Sequence, residues 1–170
     1  EATNINQAPA GIEAVLFGAS GLEQRVEQTD IDTVYPAFVN PVRLRPEGII
    51  LWGNRTLQKT GDFQQLNTRM FFMKVENDLF DPSHEYVFKS IGDRLFSKAK
   101  LKIEGYFRNL FDTGYFEAST FADAVEVTID ESNNTPATIN AKKLIIDVRI
   151  KENTSGEFVT LRFAKKVNDI

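Results

Sequence analysis

The chain predicts an α+β domain, an antiparallel or mixed β-sheet packed against two main helices, with extended N- and C-terminal arms. Three observations carry that expectation. The last third alternates apolar and polar residues in three runs, Val125-Val127-Ile129, Leu144-Ile146-Val148-Ile150 and Val159-Leu161-Phe163, the period of half-buried strands. The middle third instead spaces its apolar residues by three or four, as a helix with one buried face requires. A hydrophobic fraction of 42%, with 14 Phe in 170 residues, is enough to build a core and excludes disorder for the bulk of the chain.

The elements follow in order. Residues 1–10 are polar, with Pro9 near their end, and read as an extended lead-in. Ile12 to Phe17 has strand character and is closed by Gly18 and Gly21. Thr29-Asp30 offers a cap for a short helix leading to Val34-Tyr35, which Pro36 ends. Val42 to Arg45 is extended, and Ile49 to Trp52 is a continuous apolar run, the pattern of a strand covered on both faces. Thr60-Gly61-Asp62 is a turn. A helix is expected from Phe63 to Leu79, with Leu66, Met70, Phe71, Met73 and Val75 on its apolar side, broken by Asp81-Pro82-Ser83.

A longer helix is expected from about Glu85 to Asp112 on the spacing of Phe88, Ile91, Leu95, Ala99, Ile103, Phe107 and Leu110. Gly92 and Gly105 weaken it by roughly 1 kcal/mol each relative to Ala. Thr113-Gly114 ends it, with Gly114 placed for a left-handed cap. Asp130 to Thr138 and Glu152 to Gly156 are loops between the final strands. The organisation is therefore a lead-in (1–10), one domain (11–163) and a flexible tail (164–170). The chain opens Glu-Ala-Thr-Asn without an initiator Met and reads as a fragment whose upstream domains are absent.

Composition narrows the function classes. There is no Cys, which excludes disulfides and thiolate metal sites, and a single histidine, His84, leaves little room for His-based catalysis. No cofactor and no metal are expected. The Asp130-Glu131-Ser132-Asn133-Asn134 loop offers oxygens but lacks the glycine and spacing of an EF-hand. Asp78 and Asp81 are a carboxylate pair without a partner motif, so the reading is not an enzyme. A net charge of −4 argues against nucleic acid as a partner, and no apolar run is long enough for direct membrane insertion.

The charge distribution says more than its sum. Residues 1–40 carry one Arg against six acids, whereas residues 85–110 carry six basic side chains against three acids. Arg94, Lys98 and Lys102, at four-residue spacing, share one helix face, with Lys100 and Arg108 nearby. Such a stripe is either a solvated face or the seat of an acidic partner. Phe158 to Phe163 alternates Val159, Leu161, Phe163 with Phe158, Thr160, Arg162, and is either an ordinary edge strand or an arm offered to another chain. Trp52, Gly53 and Arg55, in the block GIILWGNRTL from Gly48 to Leu57, read as a core residue, a turn and its anchor. Tyr106, Tyr115 and Phe116 support the alternative of a non-catalytic ligand- or carbohydrate-binding module.

Several segments, in order, resemble the C-terminal domain of contractile, phage-type tail sheath proteins. They are the lead-in Ala8-Pro9-Ala10-Gly11, the strand Leu44 to Leu57 ending in Trp52-Gly53-Asn54-Arg55-Thr56, and the helix start Asn67-Thr68-Arg69-Met70-Phe71. The helix end Gly105 to Phe111 with Gly114, and Glu157-Phe158-Val159, complete the set, which covers roughly residues 8–163. The resemblance implies a structural subunit that polymerises around an inner tube, with contraction driving the tube through a target envelope. It implies homo-oligomeric contacts between neighbouring subunits by strand exchange through Phe158, Val159, Thr160, Leu161, Arg162 and Phe163. It also implies contact with the inner tail tube protein through Arg94, Lys98, Lys102 and Arg108, and baseplate or terminator proteins as further partners. The implied location is a virion tail assembled in the bacterial host cytoplasm.

Overall fold

The computed structural model describes Ile5, residues 7–151 and, as backbone, Phe158–Ala164. The stretch that the sequence presents as one domain divides into two compact units, residues 1–77 and 78–170, with the boundary inside a helix. The architecture is α+β, as the periodicities require.

In the first unit, helix α1 (Gln28–Val34) has Glu27 as its cap, two residues ahead of the expected Thr29, because the Asp30 carboxylate reaches back to the Glu27 N–H at 2.9 Å. Strands β1 (Val42–Arg45) and β2 (Gly48–Leu51) form an antiparallel hairpin in which Val42 pairs with Leu51 and Arg45 with Gly48. The expected strand at Ile12 to Phe17 is reduced to a bridge between Val15 and Ile50. It still runs along β2: Leu16 N–H donates to Ile49 O at 2.7 Å and Leu51 N–H to Ala14 O at 3.0 Å. Ile50 is thereby covered completely, and with Ile31, Ile49, Phe71, Phe72 and Val75 it makes the core of this unit.

Helix α2 spans Leu66–Ser83, three residues later than expected at its start and four at its end. At the start, Asn54 acts as a cap from outside the helix: its Oδ1 accepts from Asn67 N–H at 3.3 Å while its Nδ2 donates to Asn67 Oδ1 at 2.6 Å. At the far end the helix runs through Pro82, which sits in its last turn. The Phe80 carbonyl there is taken by the Ser83 hydroxyl at 2.6 Å, and His84 Nδ1 lies 3.0 Å from it. These side chains cap the last turn, where the helix's final carbonyls lose their backbone donors, and the chain passes into a 3₁₀ turn, His84–Tyr86.

The second unit corrects the expected helix from Glu85. Helix α3 spans Asp93–Asp112, because Gly92 is extended and accepts the first helical bonds, from Leu95 N–H at 2.8 Å and Phe96 N–H at 3.0 Å. Phe88 and Ile91 had the right spacing, but Phe88 sits in the left-handed region (φ 63°) and is 95% exposed. The end of α3 is as expected. Gly114 (φ 79°) donates to Phe111 O at 3.0 Å and Tyr115 N–H to Leu110 O at 3.0 Å, the Schellman pattern.

Helix α4 (Phe121–Ala124), capped by Thr120, leads directly into β3 (Val125–Thr128). A one-turn helix α5 (Pro136–Asn140), capped by Thr135, occupies the expected loop, and β4 (Ile145–Lys151) and β5 (Phe158–Ala164) follow. The sheet order is β3-β4-β5, antiparallel throughout. Val125 and Val127 of β3 and Ile146, Val148 and Ile150 of β4 are buried, as are Leu95, Ala99, Ile103, Phe107 and Leu110 of α3, which packs on β3. This is the helix-on-sheet layer that the two periodicities predict.

Candidate assembly surfaces

The apolar stripe of α3 leaves Arg94, Lys98 and Lys102 exposed on its other side, one turn apart. Two of the three are engaged within the chain. Lys102 Nζ lies 3.0 Å from Glu85 Oε2 and Lys98 Nζ lies 3.9 Å from Glu85 Oε1. The hydrogen bond from Lys102 is the main cause holding the Glu85 carboxyl below its ordinary range, with the charges of Lys102 and Lys98 adding to it. Burial and the neighbouring Glu85 push the Tyr86 hydroxyl up to about 12.

Arg108 lies off the four-residue row: at 3.6 residues per turn it is rotated by about 120° from Lys102 but only about 40° from Arg94, and it is exposed. Its guanidinium lies 4.2 Å from the centre of the Phe121 ring, and Tyr106 takes the next place on the Lys98–Lys102 row. The stripe is therefore Arg94, Lys98 and Lys102. Lys100 also points elsewhere, toward Asp130, whose carboxyl is lowered first by the Ser132 hydroxyl and N–H and then by Lys100.

The second surface is the sheet edge. Among the described residues β3 and β5 are the two outer strands. β5 pairs with β4 of its own chain: Val159, Leu161 and Phe163 stand in register with Ile150, Val148 and Ile146, and Phe158, Thr160 and Arg162 with Lys151, Arg149 and Asp147. The expected lead-in at residues 1–4 and 6, the expected loop at 152–156 and the expected tail at 165–170 lie outside the described residues.

The GIILWGNRTL block is scaffold. Trp52 is half-buried rather than central, flanked by the guanidiniums of Arg43 and Arg45 at 5.3 and 5.9 Å from its ring centre. Gly53 is buried. Arg55 was expected to anchor the turn through carbonyls or a carboxylate. Its guanidinium instead lies over the rings of Tyr35 (4.9 Å) and Phe38 (5.1 Å). What clasps the turn is Asn40, whose amide donates to Arg55 O at 2.7 Å and accepts from Arg55 N–H at 2.8 Å. Asn134 does the same to Ile145 in the second unit. Neither asparagine is identifiable from local sequence, since each copies a strand pairing across 11 or more residues.

The features behind other readings are occupied. Tyr106 donates to Asp78 at 2.7 Å and, half-buried, has its hydroxyl raised by burial and by that carboxylate; Phe116 is buried. Tyr106, Tyr115 and Phe116 therefore do not form an open stacking platform. An apolar cleft of about 650 Å³ does open in this unit, but between Tyr86, Val87, Phe88, Ile91, Ile139 and Leu144. In the acidic loop, Asp130 Oδ1 accepts from the Ser132 N–H and hydroxyl, and Asn133 is tied to Thr128 O and Asp147. Among the described residues no group of three or more metal-ligating side chains comes together, and no helix is long and apolar enough to cross a membrane.

A three-stranded antiparallel sheet under one long amphipathic helix, joined in sequence to a hairpin unit, is the fold found in contractile sheath structures. The chain is 25% identical over 165 residues, 95% of its length, to a tail sheath protein of Vibrio phage KVP40, of which the match spans 24%. In the baseplate of the anti-feeding prophage, a chain 25% identical superposes with a TM-score of 0.82 over 96% of this chain and 46% of that one. The helical sheath of the same prophage in its contracted state gives a TM-score of 0.76 at 25% identity, over 95% of this chain and 46% of that one. No family model matches the chain. The resemblance carried by GIILWGNRTL and its companion motifs is thus a likeness to tail sheath and helical sheath proteins along nearly the whole chain. The chain spans a quarter to a half of the length of these relatives.

Proposed function

We propose that the chain is a domain, the C-terminal one, of a contractile sheath subunit that polymerises around an inner tube and, on contraction, drives that tube through a target envelope. The observation that carries this reading is the similarity to sheath proteins over 95% of the chain, in sequence and in fold together. The role is mechanical rather than catalytic. Its partners are neighbouring subunits, the tube, and baseplate or terminator proteins at the ends. Its place is a tail or injection apparatus assembled in the bacterial cytoplasm.

Strand exchange fits the sheet. A β-ladder gains the same hydrogen bonds whichever chain supplies the strand, each netting about 1 kcal/mol. β5 is an outer strand with seven register partners on β4, so the same register serves a neighbour's Phe158 to Phe163. A joint of that kind persists while subunits rotate about it.

Tube contact falls to Arg94, Lys98 and Lys102. Exposed ion pairs contribute only about 0–1 kcal/mol each, which suits a contact released during contraction. In full-length sheath, Lys98→Glu with Lys102→Glu is expected to reduce co-assembly on inner tubes, with the far-UV spectrum unchanged. Co-sedimentation with tubes at wild-type levels would remove this face from the tube contact.

A further inference from the structure

The lysine seat assigned to the tube is already filled from within. Glu85 projects from the 3₁₀ turn between two ammonium groups, 3.0 Å from Lys102 Nζ and 3.9 Å from Lys98 Nζ. Its Oε1 is buried and has no hydrogen-bond partner among the described residues. One carboxylate oxygen is held by Lys102 and the other lies 3.9 Å from Lys98, with the Tyr86 hydroxyl also acting on the carboxylate. The turn that carries it is closed by Val87 N–H to His84 O (3.2 Å) and Lys89 N–H to Tyr86 O (3.3 Å), so Glu85 is presented by ordered backbone. Both lysines keep an outward side, with 63% and 46% of their side chains exposed. Each ammonium has three donors and Glu85 satisfies at most one of them on each lysine.

We propose that Glu85 is an internal competitor for the Lys98–Lys102 seat, occupying it when no partner carboxylate is present and lowering the affinity for an acidic partner surface. The inference rests on the reading that this face meets the tube, and it adds the device that makes the contact releasable. An incoming carboxylate must share both lysines with one already held in the same chain at high effective concentration. When it withdraws, Glu85 takes the charge back, so neither lysine has to be left without a counter-ion. Glu85 is thus a positioning residue with respect to the partner, which it need not touch.

The test compares full-length sheath variants in co-sedimentation with inner tubes. Glu85→Gln keeps the shape and removes the charge. It is expected to tighten tube binding about three- to tenfold near 0.15 M salt, with the gain disappearing near 1 M, where the Debye length falls to about 3 Å. Glu85→Asp, which draws the carboxylate back by one methylene, is expected to tighten binding by less, and supports the same conclusion if Glu85→Gln fails to fold. A merely structural Glu85 would give weaker binding in both variants. Unchanged or weaker binding in both, while Lys98→Glu with Lys102→Glu reduces it, overturns the competitor and leaves the tube contact standing. If the double lysine variant binds as wild type, the tube reading falls and the competitor with it.

Discussion

Gly53→Ala is expected to destabilise the first unit by about 3 kcal/mol, among the largest losses that a single added methyl group can cause here. Gly53 does not need an unusual backbone angle; it needs to be close to another chain segment. A Cβ there would lie 2.5 Å from Asn40 Oδ1, 2.8 Å from Asn40 Cα and 2.9 Å from Asn40 Cβ. Backbone atoms cannot yield as a side-chain end can, so Asn40 itself must move. That residue clasps Arg55 with two hydrogen bonds of 2.7 and 2.8 Å, each netting about 1 kcal/mol, and overpacking adds about 1–3 kcal/mol. Thermal unfolding of this unit followed by circular dichroism should show a drop of about 12–24 °C. A shift under about 2 °C would mean that the two segments do not approach as described.

Asn134→Ala should cost the second unit a comparable amount, about 2–4 kcal/mol. Asn134 is 1% exposed, so none of its lost bonds is replaced by water. Its Oδ1 accepts from Ile145 N–H at 2.7 Å, and its Nδ2 donates to Ile145 O at 2.9 Å and Asn133 Oδ1 at 2.8 Å. Removing the amide takes the Asn134 partner from the Ile145 N–H and leaves the Ile145 carbonyl with the long 3.5 Å bond from Asn133 Nδ2. The urea midpoint should fall with little change in slope, and the Ile145 amide should lose its protection from hydrogen exchange. An unchanged midpoint with Ile145 still protected would contradict the assignment.

These two positions also mark where the sequence stops being legible. The three alternating runs are strands β3, β4 and β5, and Gly114 caps α3, because period and turn chemistry are local properties. The start of α3 was misplaced by eight residues since Phe88 and Ile91 keep helical spacing, while the extended backbone at Gly92 stops the helix from reaching them. Asp81-Pro82-Ser83 carries a break signal, yet α2 runs through Pro82 to Ser83, where the Ser83 and His84 side chains cap the Phe80 carbonyl. Asn40, Asn54 and Asn134 act across 11 to 15 residues, and nothing in their own neighbourhoods signals a clasp. The lysine row was visible as spacing; that Glu85 fills it was not, because the 3₁₀ turn, rather than α3, presents the carboxylate.

The resemblance readable in the sequence lies in the order and spacing of short motifs, and those motifs fall largely on scaffold. Trp52, Gly53 and Arg55 identify the fold but are occupied in holding it: the tryptophan between two arginines, the glycine against Asn40, the arginine over two rings. Among the described residues, the surfaces proposed to act are the exposed face of α3 and the outer strands of the β3-β4-β5 sheet.

Electron microscopy of the full-length protein, expressed with and without a candidate inner-tube protein, decides whether it polymerises as proposed. The account predicts regular tubular polymers with helical order. Deleting Phe158 to Ala164 should leave a folded first unit but no polymer. Particles that stay monomeric at high concentration, with or without tube, would contradict it.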